Sequence, residues 1–304
     1  MDFKELRRQY HEQICREIIR ITTNPRTGRT YPNFADGTNT NSREIAYGIV
    51  DLLEYQTNTE ILSGQSAGGG FEQITKDYLD AAFHMLEHLQ PGGEFIYRTH
   101  TPISDFEQYE HLAKLERLVD RLIHGDDEEN RELATALGHE YIVAPDIAVE
   151  RLPVSDEKIN EKGRIINRLD DVAKLTPIRL ANSTDPTRPR RILHASISCK
   201  WTIRSDRSQN ARTEALNLIR NRAGTVPHIC TITAEPMPTR IQSIASGTGD
   251  IDAVYHFALH ELKQTIATIA ASGNAGMYDQ LDILNALING KRLRDISDLP
   301  FDLL

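Results

Sequence analysis

The chain has 304 residues, 39% hydrophobic and 26% charged, with no low-complexity tract or internal repeat, so a folded protein with a sizeable core is expected. Three dispersed cysteines, Cys15, Cys199 and Cys230, argue against a disulfide framework and a paired-cysteine zinc site, and the charges spread through Met1–Arg20 argue against a signal peptide. With no apolar stretch of membrane-spanning length, a cytoplasmic protein with no membrane association is expected.

Taken in chain order, apolar spacing predicts helices over roughly 2–20, 43–55, 72–89, 105–124 and 128–138. In the third, Phe71, Ile74, Tyr78, Leu79, Ala82, Phe83 and Leu86 form one core stripe. Two glycine-bearing segments, Asn33–Ser42 and Ser63–Gly70, read as polar loops, the second ending where a helix begins. Extended segments follow near 141–150, 191–203 and 228–234, with helices near 208–222 and 252–271, and a polar, proline-containing loop over 151–190. Strands alternating with helices imply an α/β core around a central mixed sheet, with a helix-rich N-terminal half. One domain over 1–304 is expected, mainly helical to about 140 and carrying its core and dimerisation helices from 141.

The net charge of -9 speaks against a uniformly basic nucleic-acid binder, yet the charge is unevenly distributed. Arg188–Arg222 holds nine Lys/Arg against two acids, whereas Asp105–Glu157 holds fifteen acids against five bases. Such a division is compatible with a basic cleft on an acidic body, and equally with one solvated basic face.

Residues Arg191–Ile203 alternate: Leu193, Ala195, Ile197, Cys199, Trp201 and Ile203 fall on one face, and His194, Ser196, Ser198, Lys200 and Thr202 on the other. A lysine on the polar face of such a strand pairs with carboxylate or phosphate, or simply sits at an edge. Upstream, Pro145-Asp146 interrupts an apolar run, and proline in a strand belongs at edges, first positions or bulges. Downstream, Glu214 lies where a short loop and the first turns of a helix could return its carboxylate toward Lys200. Carboxylates for a hard cation and an ammonium near a phosphate are what phosphodiester hydrolysis requires.

The order Pro145-Asp146, Lys200, Glu214 resembles the PD-(D/E)XK nucleases. The run Ser196-Ile-Ser-Cys-Lys-Trp-Thr-Ile-Arg-Ser-Asp-Arg-Ser-Gln-Asn-Ala-Arg212 closely resembles the CCGG-recognising, NgoMIV-like branch of type II restriction endonucleases. Further matching stretches are Ala35–Thr40, Gly64-Gln65 through Phe71-Glu72, Thr233-Ala-Glu-Pro236, Tyr255–Leu259 and Asn289–Pro300, leaving about 90–105, 151–190 and 271–285 divergent. In that branch the second acid sits on the helix after the strand, which suits Ser198 at a position that is acidic in the usual pattern.

The resemblance implies a restriction-endonuclease-like fold and a catalytic set of Asp146, Lys200, Glu214, Glu72 and Ser198. Magnesium ions, two per active site, would be held by Asp146, Glu214, Glu72 and the Cys199 carbonyl. It further implies that Arg204 and Arg207 address guanines and Asp206 cytosines of a CCGG core, as bidentate arginine and carboxylate chemistry allows. Asp36 and Thr38 would read the outer pair in the major groove and Gln65 in the minor groove. Ordinary local chemistry competes at each: helix capping at Ser205 or Asp206, turn formation at Asp36-Gly37, and helix-dipole stabilisation by Glu72. The implied activity is cleavage of double-stranded DNA at G^CCGGC by a homotetramer of two dimers in the bacterial cytoplasm. The competing readings are a repair or recombination nuclease on the same scaffold, which would not need the Arg-Ser-Asp-Arg reader, and a DNA-binding protein that does not cut.

Overall fold

The structure, a computed structural model, describes residues 2–25, 27–57, 63–89, 95–124, 144–167, 172–183, 185–203, 205–247 and 249–304, excepting the side chains of 95–98, 115, 116, 120, 123 and 205–208. The principal helices are α1 (Phe3–Glu17), α2 (Thr40–Leu53), α3 (Gly64–Leu86), α4 (Ala113–Ile123), α5 (Ser205–Asn221), α6 (Pro238–Ala245), α7 (Leu259–Ala271) and α8 (Ala275–Asn289). The strands are β1 (Ile21–Thr23), β2 (Thr30–Pro32), β3 (Phe95–Thr99), β4 (Ile147–Arg151), β5 (Ile192–Lys200), β6 (His228–Thr233), β7 (Ala253–His256) and β8 (Leu293–Asp295). The first two strands form an antiparallel hairpin, and the other six form one sheet in the order β3-β4-β5-β6-β7-β8. It is a mixed sheet, antiparallel at β3/β4 and parallel at β6/β7 and β7/β8.

Contacts divide the chain into two compact units, the first comprising Met1–Met85, Ile197–Thr213 and Ile229–Leu304, the second Leu86–Ser196 and Glu214–His228. In the first, α1 opens on Asp2, whose carboxylate accepts from the Glu5 N–H (2.8 Å), and buries Leu6, Tyr10, Ile14 and Cys15. Asn39 caps α2 by accepting from the Ser42 N–H (3.0 Å). Gly48 permits close approach of α2 to α7, since a Cβ there would stand 2.3 Å from Thr265 Cγ2. Arg7 of α1 donates to both Asp295 and Glu261 at 2.7–2.9 Å, tying α1 to β8 and α7. Strand β7 is buried along its whole length, as befits a parallel strand covered on both faces. The free cysteines Cys15, Cys199 and Cys230 are all buried in this unit.

Two expectations for this unit are corrected. Ser63–Gly70 is no loop: α3 starts at Gly64, with Ser63 capping it through its Oγ (Ser66 N–H, 3.0 Å) and its carbonyl (Ala67 N–H, 2.9 Å). Gly70 is small because a Cβ there would meet Ile18 Cδ1 at 2.4 Å, so this glycine serves packing and not a turn. The helix expected over 252–271 is a strand, β7, followed by α7; Ala253–His256 is too short and too uniformly buried to show a period. Helices α6 and α8 and strands β3 and β8 were not anticipated.

In the second unit β3 pairs with β4 from Phe95↔Arg151 to Thr99↔Ile147. The helix expected over 105–124 begins as 3-10 turns at Ile103–Asp105 and Glu107–Leu112, and only Ala113–Ile123 is α-helical. These turns dock against the start of β5, because the Gln108 amide donates to the Leu193 carbonyl (2.8 Å) and accepts from the Leu193 N–H (3.0 Å). Within 151–190, Arg179 is buried and donates two hydrogen bonds to Asp156 (2.7 and 2.6 Å), fixing a segment that is otherwise mostly irregular. The helix expected over 128–138 and the start of the 141–150 strand lie outside the described residues.

Candidate functional site

Asp146 stands immediately before β4, after a buried Pro145, so the proline occupies a pre-strand position where no ladder donor is needed. Because Thr99 pairs with Ile147, the end of β3 lies beside Asp146, and the His100 N–H donates to the Pro145 carbonyl (3.2 Å). His100 takes a left-handed conformation there, φ 52, and its side chain is exposed. Within the second unit, His100 and Asp146 bring a ligand-capable imidazole nitrogen and a carboxylate oxygen to within 4.8 Å of each other. Glu72 sits well inside α3, whose first turn carries no acid, so stabilisation of the helix N-terminus does not explain it. His100 was missed because it falls in a stretch without motif or periodicity, and only strand pairing brings it beside Asp146.

Lys200 is the last residue of β5 and is partly buried, as is Ser198, while the thiol of Cys199 is buried on the opposite face, as the alternation predicts. Trp201 and Ile203, which follow, are buried. Trp201 joins an aromatic cluster with Phe34, Phe71 and Phe257, at centroid separations of 5.1–6.2 Å, which anchors the exit of β5. Glu214 lies on α5, partly buried. Arg204 and the side chains of Asp206 and Arg207 lie outside the described residues, though the backbone of Asp206 and Arg207 forms the first turn of α5.

The Asp36 carboxylate accepts from the Thr38 N–H (2.9 Å) and hydroxyl (2.7 Å) and pairs with Arg240 of α6. Burial alone would raise its pKa, but these hydrogen bonds and the arginine outweigh it and hold the group at about 2. Gly37 is required by close approach, since a Cβ would stand 2.4 Å from the Tyr31 ring. Thus the turn chemistry that competes with base reading is present at this loop. Gln65 is exposed in the first turn of α3. Arg240 was not singled out in the sequence, nor was Glu235, which is fully buried and pushed up to about 7, chiefly by burial.

Residues 10–304 match the family model described as NgoMIV restriction enzyme, and the chain is 44% identical over 305 aligned residues to the type II restriction enzyme NgoMIV of Neisseria gonorrhoeae, covering 99% of this chain and 98% of that one. The chain belongs to the NgoMIV restriction enzyme family. It is accordingly a type II restriction endonuclease, and its mixed α/β sheet is the restriction-endonuclease fold of an NgoMIV family member. Solved structures with some likeness are the Type IIF restriction endonuclease Bse634I with cognate DNA (TM-score 0.34, 11% identity, 86% of this chain and 99% of that chain) and the PspGI–substrate DNA complex (0.24, 15%, 86% and 91%). At those scores neither bears on the fold. No helix among the described residues is long and apolar enough to cross a membrane.

Proposed function

We propose that this NgoMIV family member hydrolyses double-stranded DNA in a Mg²⁺-dependent reaction at a palindromic site with a CCGG centre. It would cut GCCGGC after the first G and leave 5′-phosphates and a four-base 5′ overhang. The reading is carried by 44% identity over 99% of the chain with a relative named as a type II restriction enzyme, beside the order of Asp146, the run from Ser196 to Arg212, and Glu214 in this sequence. A palindromic substrate calls for two-fold protein symmetry, and a homotetramer of two dimers in the bacterial cytoplasm is the assembly proposed.

Carboxylates such as Asp146, Glu72 and Glu214 suit a hard cation that takes oxygen ligands and keeps several waters. We assign the metal, two ions per site, to Asp146, Glu72, Glu214 and the Cys199 carbonyl. When bound it would activate water and neutralise charge developing on the phosphate. The Lys200 ammonium donates hydrogen bonds to the scissile phosphate or the attacking water, and its charge is stabilising where negative charge builds up. Ser198 offers a hydroxyl on the same strand face. Arg204 and Arg207 read guanines, Asp206 cytosines, and Asp36, Thr38 and Gln65 the outer pair. For Asp36 this means a carboxylate already oriented by Thr38 and Arg240.

Digestion of a plasmid of known sequence with Mg²⁺, followed by sequencing of the ends, tests the site and the overhang. Asp146→Ala and Lys200→Ala are expected to abolish cutting, with DNA binding retained in Asp146→Ala. Wild-type cutting by either variant would overturn the catalytic assignment.

A further inference from the structure

The Thr-Ala-Glu-Pro stretch at the end of β6 has no place in the catalytic or base-reading sets, yet two of its side chains grip the backbone that leaves β5. The Thr233 hydroxyl donates to the Lys200 carbonyl (2.7 Å) and accepts from the Glu235 N–H (3.1 Å). One Glu235 carboxylate oxygen accepts from the Ile203 N–H (2.9 Å), and the other accepts from the Met237 N–H (3.2 Å) and lies 3.8 Å from the Arg240 guanidinium. Arg240 in turn pairs with Asp36, which orients Thr38. Glu235 and Thr233 are both fully buried. A buried carboxylate is costly unless its acceptors are engaged, so its role must depend on those contacts. Ile203 is the residue before Arg204, and Asp36 lies in the outer-pair loop. One acid therefore touches the backbone just before Arg204 directly and reaches the Asp36 loop through Arg240.

We propose that Glu235 is a positioning residue for sequence discrimination: with Thr233 it fixes the departure of the 200–203 backbone, and through Arg240 it holds the Asp36–Thr38 loop in register with it. The proposal rests on the base-reading assignments above. A glutamine at 235 would turn an amide toward one of the two N–H donors, and valine at 233 would remove the hydroxyl relay without changing shape.

The experiment measures cleavage of the mapped cognate duplex against duplexes with one central or one outer pair changed, for Glu235→Gln, Thr233→Val, Thr233→Ser and Arg204→Ala, with the melting temperature of each. Expected is a drop of about tenfold or more in the cognate-to-near-cognate ratio for Glu235→Gln and Thr233→Val, the scale of one lost buried hydrogen bond. The loss should show at both central and outer pairs, with Thr233→Ser restored. Should Glu235→Gln fail to fold, Thr233→Val against Thr233→Ser carries the same comparison. A folded Glu235→Gln or Thr233→Val with an unchanged ratio overturns the proposal if Arg204→Ala relaxes the central pair. If Arg204→Ala leaves the ratio unchanged, the base-reading assignment itself falls.

Discussion

Two glycine-bearing segments that look alike in sequence, Asn33–Ser42 and Ser63–Gly70, end up as opposites. The first is an irregular loop whose Asp36 folds back on Thr38 and reaches Arg240, and which hands over to α2 through the Asn39 cap. The second is the first turns of α3, capped by Ser63. The difference lies in what absorbs the missing side chains. At Gly37 a tyrosine ring occupies the space beside the backbone, and at Gly70 it is the end of Ile18, but Gly68 and Gly69 face nothing within 4 Å. Each segment therefore holds one glycine that marks close approach, Gly37 and Gly70, and only the local polar partners decide between turn and helix.

The largest expected effect separates the segments by role. Glu72→Gln, on the helix that the second segment begins, should lower Mg²⁺-dependent cutting by about 100-fold or more, the scale of a lost charged group at a reacting phosphate. Single-turnover cleavage measures it, and a wild-type rate would remove Glu72 from the site. Gly37→Ala forces the Tyr31 ring aside and should destabilise by about 1–3 kcal/mol, read from the denaturant midpoint.

Acid sharpens the contrast further, because only the loop carries a strongly depressed carboxyl among the two. Asp36 is held at about 2 in the fold against an ordinary value of 3.8, so its stabilisation is full above that ordinary value and lost as pH falls toward about 2. Asp36→Ala should accordingly lose less stability than the parent when unfolding is followed from pH 5 to pH 2.5. The smallest effect is a gain. Gly69→Ala, with nothing to collide with in a helical position, should stabilise by about 0.5–1 kcal/mol, and a loss would show that the segment is not helical.

The strand carrying Lys200 was legible because one face is wholly buried while the other, Ser196 apart, is only partly so, and period two largely survives from Ile192 to Lys200. Helices α1 and α2 were legible through apolar stripes such as Leu6, Tyr10 and Ile14. What was not legible depends on partners remote in sequence. Ile18 explains Gly70, a neighbouring parallel strand on each side explains β7, and a ladder from Thr99 to Ile147 brings His100 to Asp146. Thr233 and Glu235 were visible as part of a shared motif, but what they hold emerges only with the Lys200 carbonyl and the Ile203 N–H beside them.

Burial of every thiol makes the chain its own sensor of opening. Cys15 is pushed up to about 12 and Cys230 is also raised, each by burial, so neither offers a thiolate to alkylating reagents at neutral pH while packed. Cys199 lies on β5 between Ser198 and Lys200 with its sulfur turned into the core. A maleimide dye should thus stay dark on the native enzyme and report, through one helix and two strands, the moment at which the protein lets go.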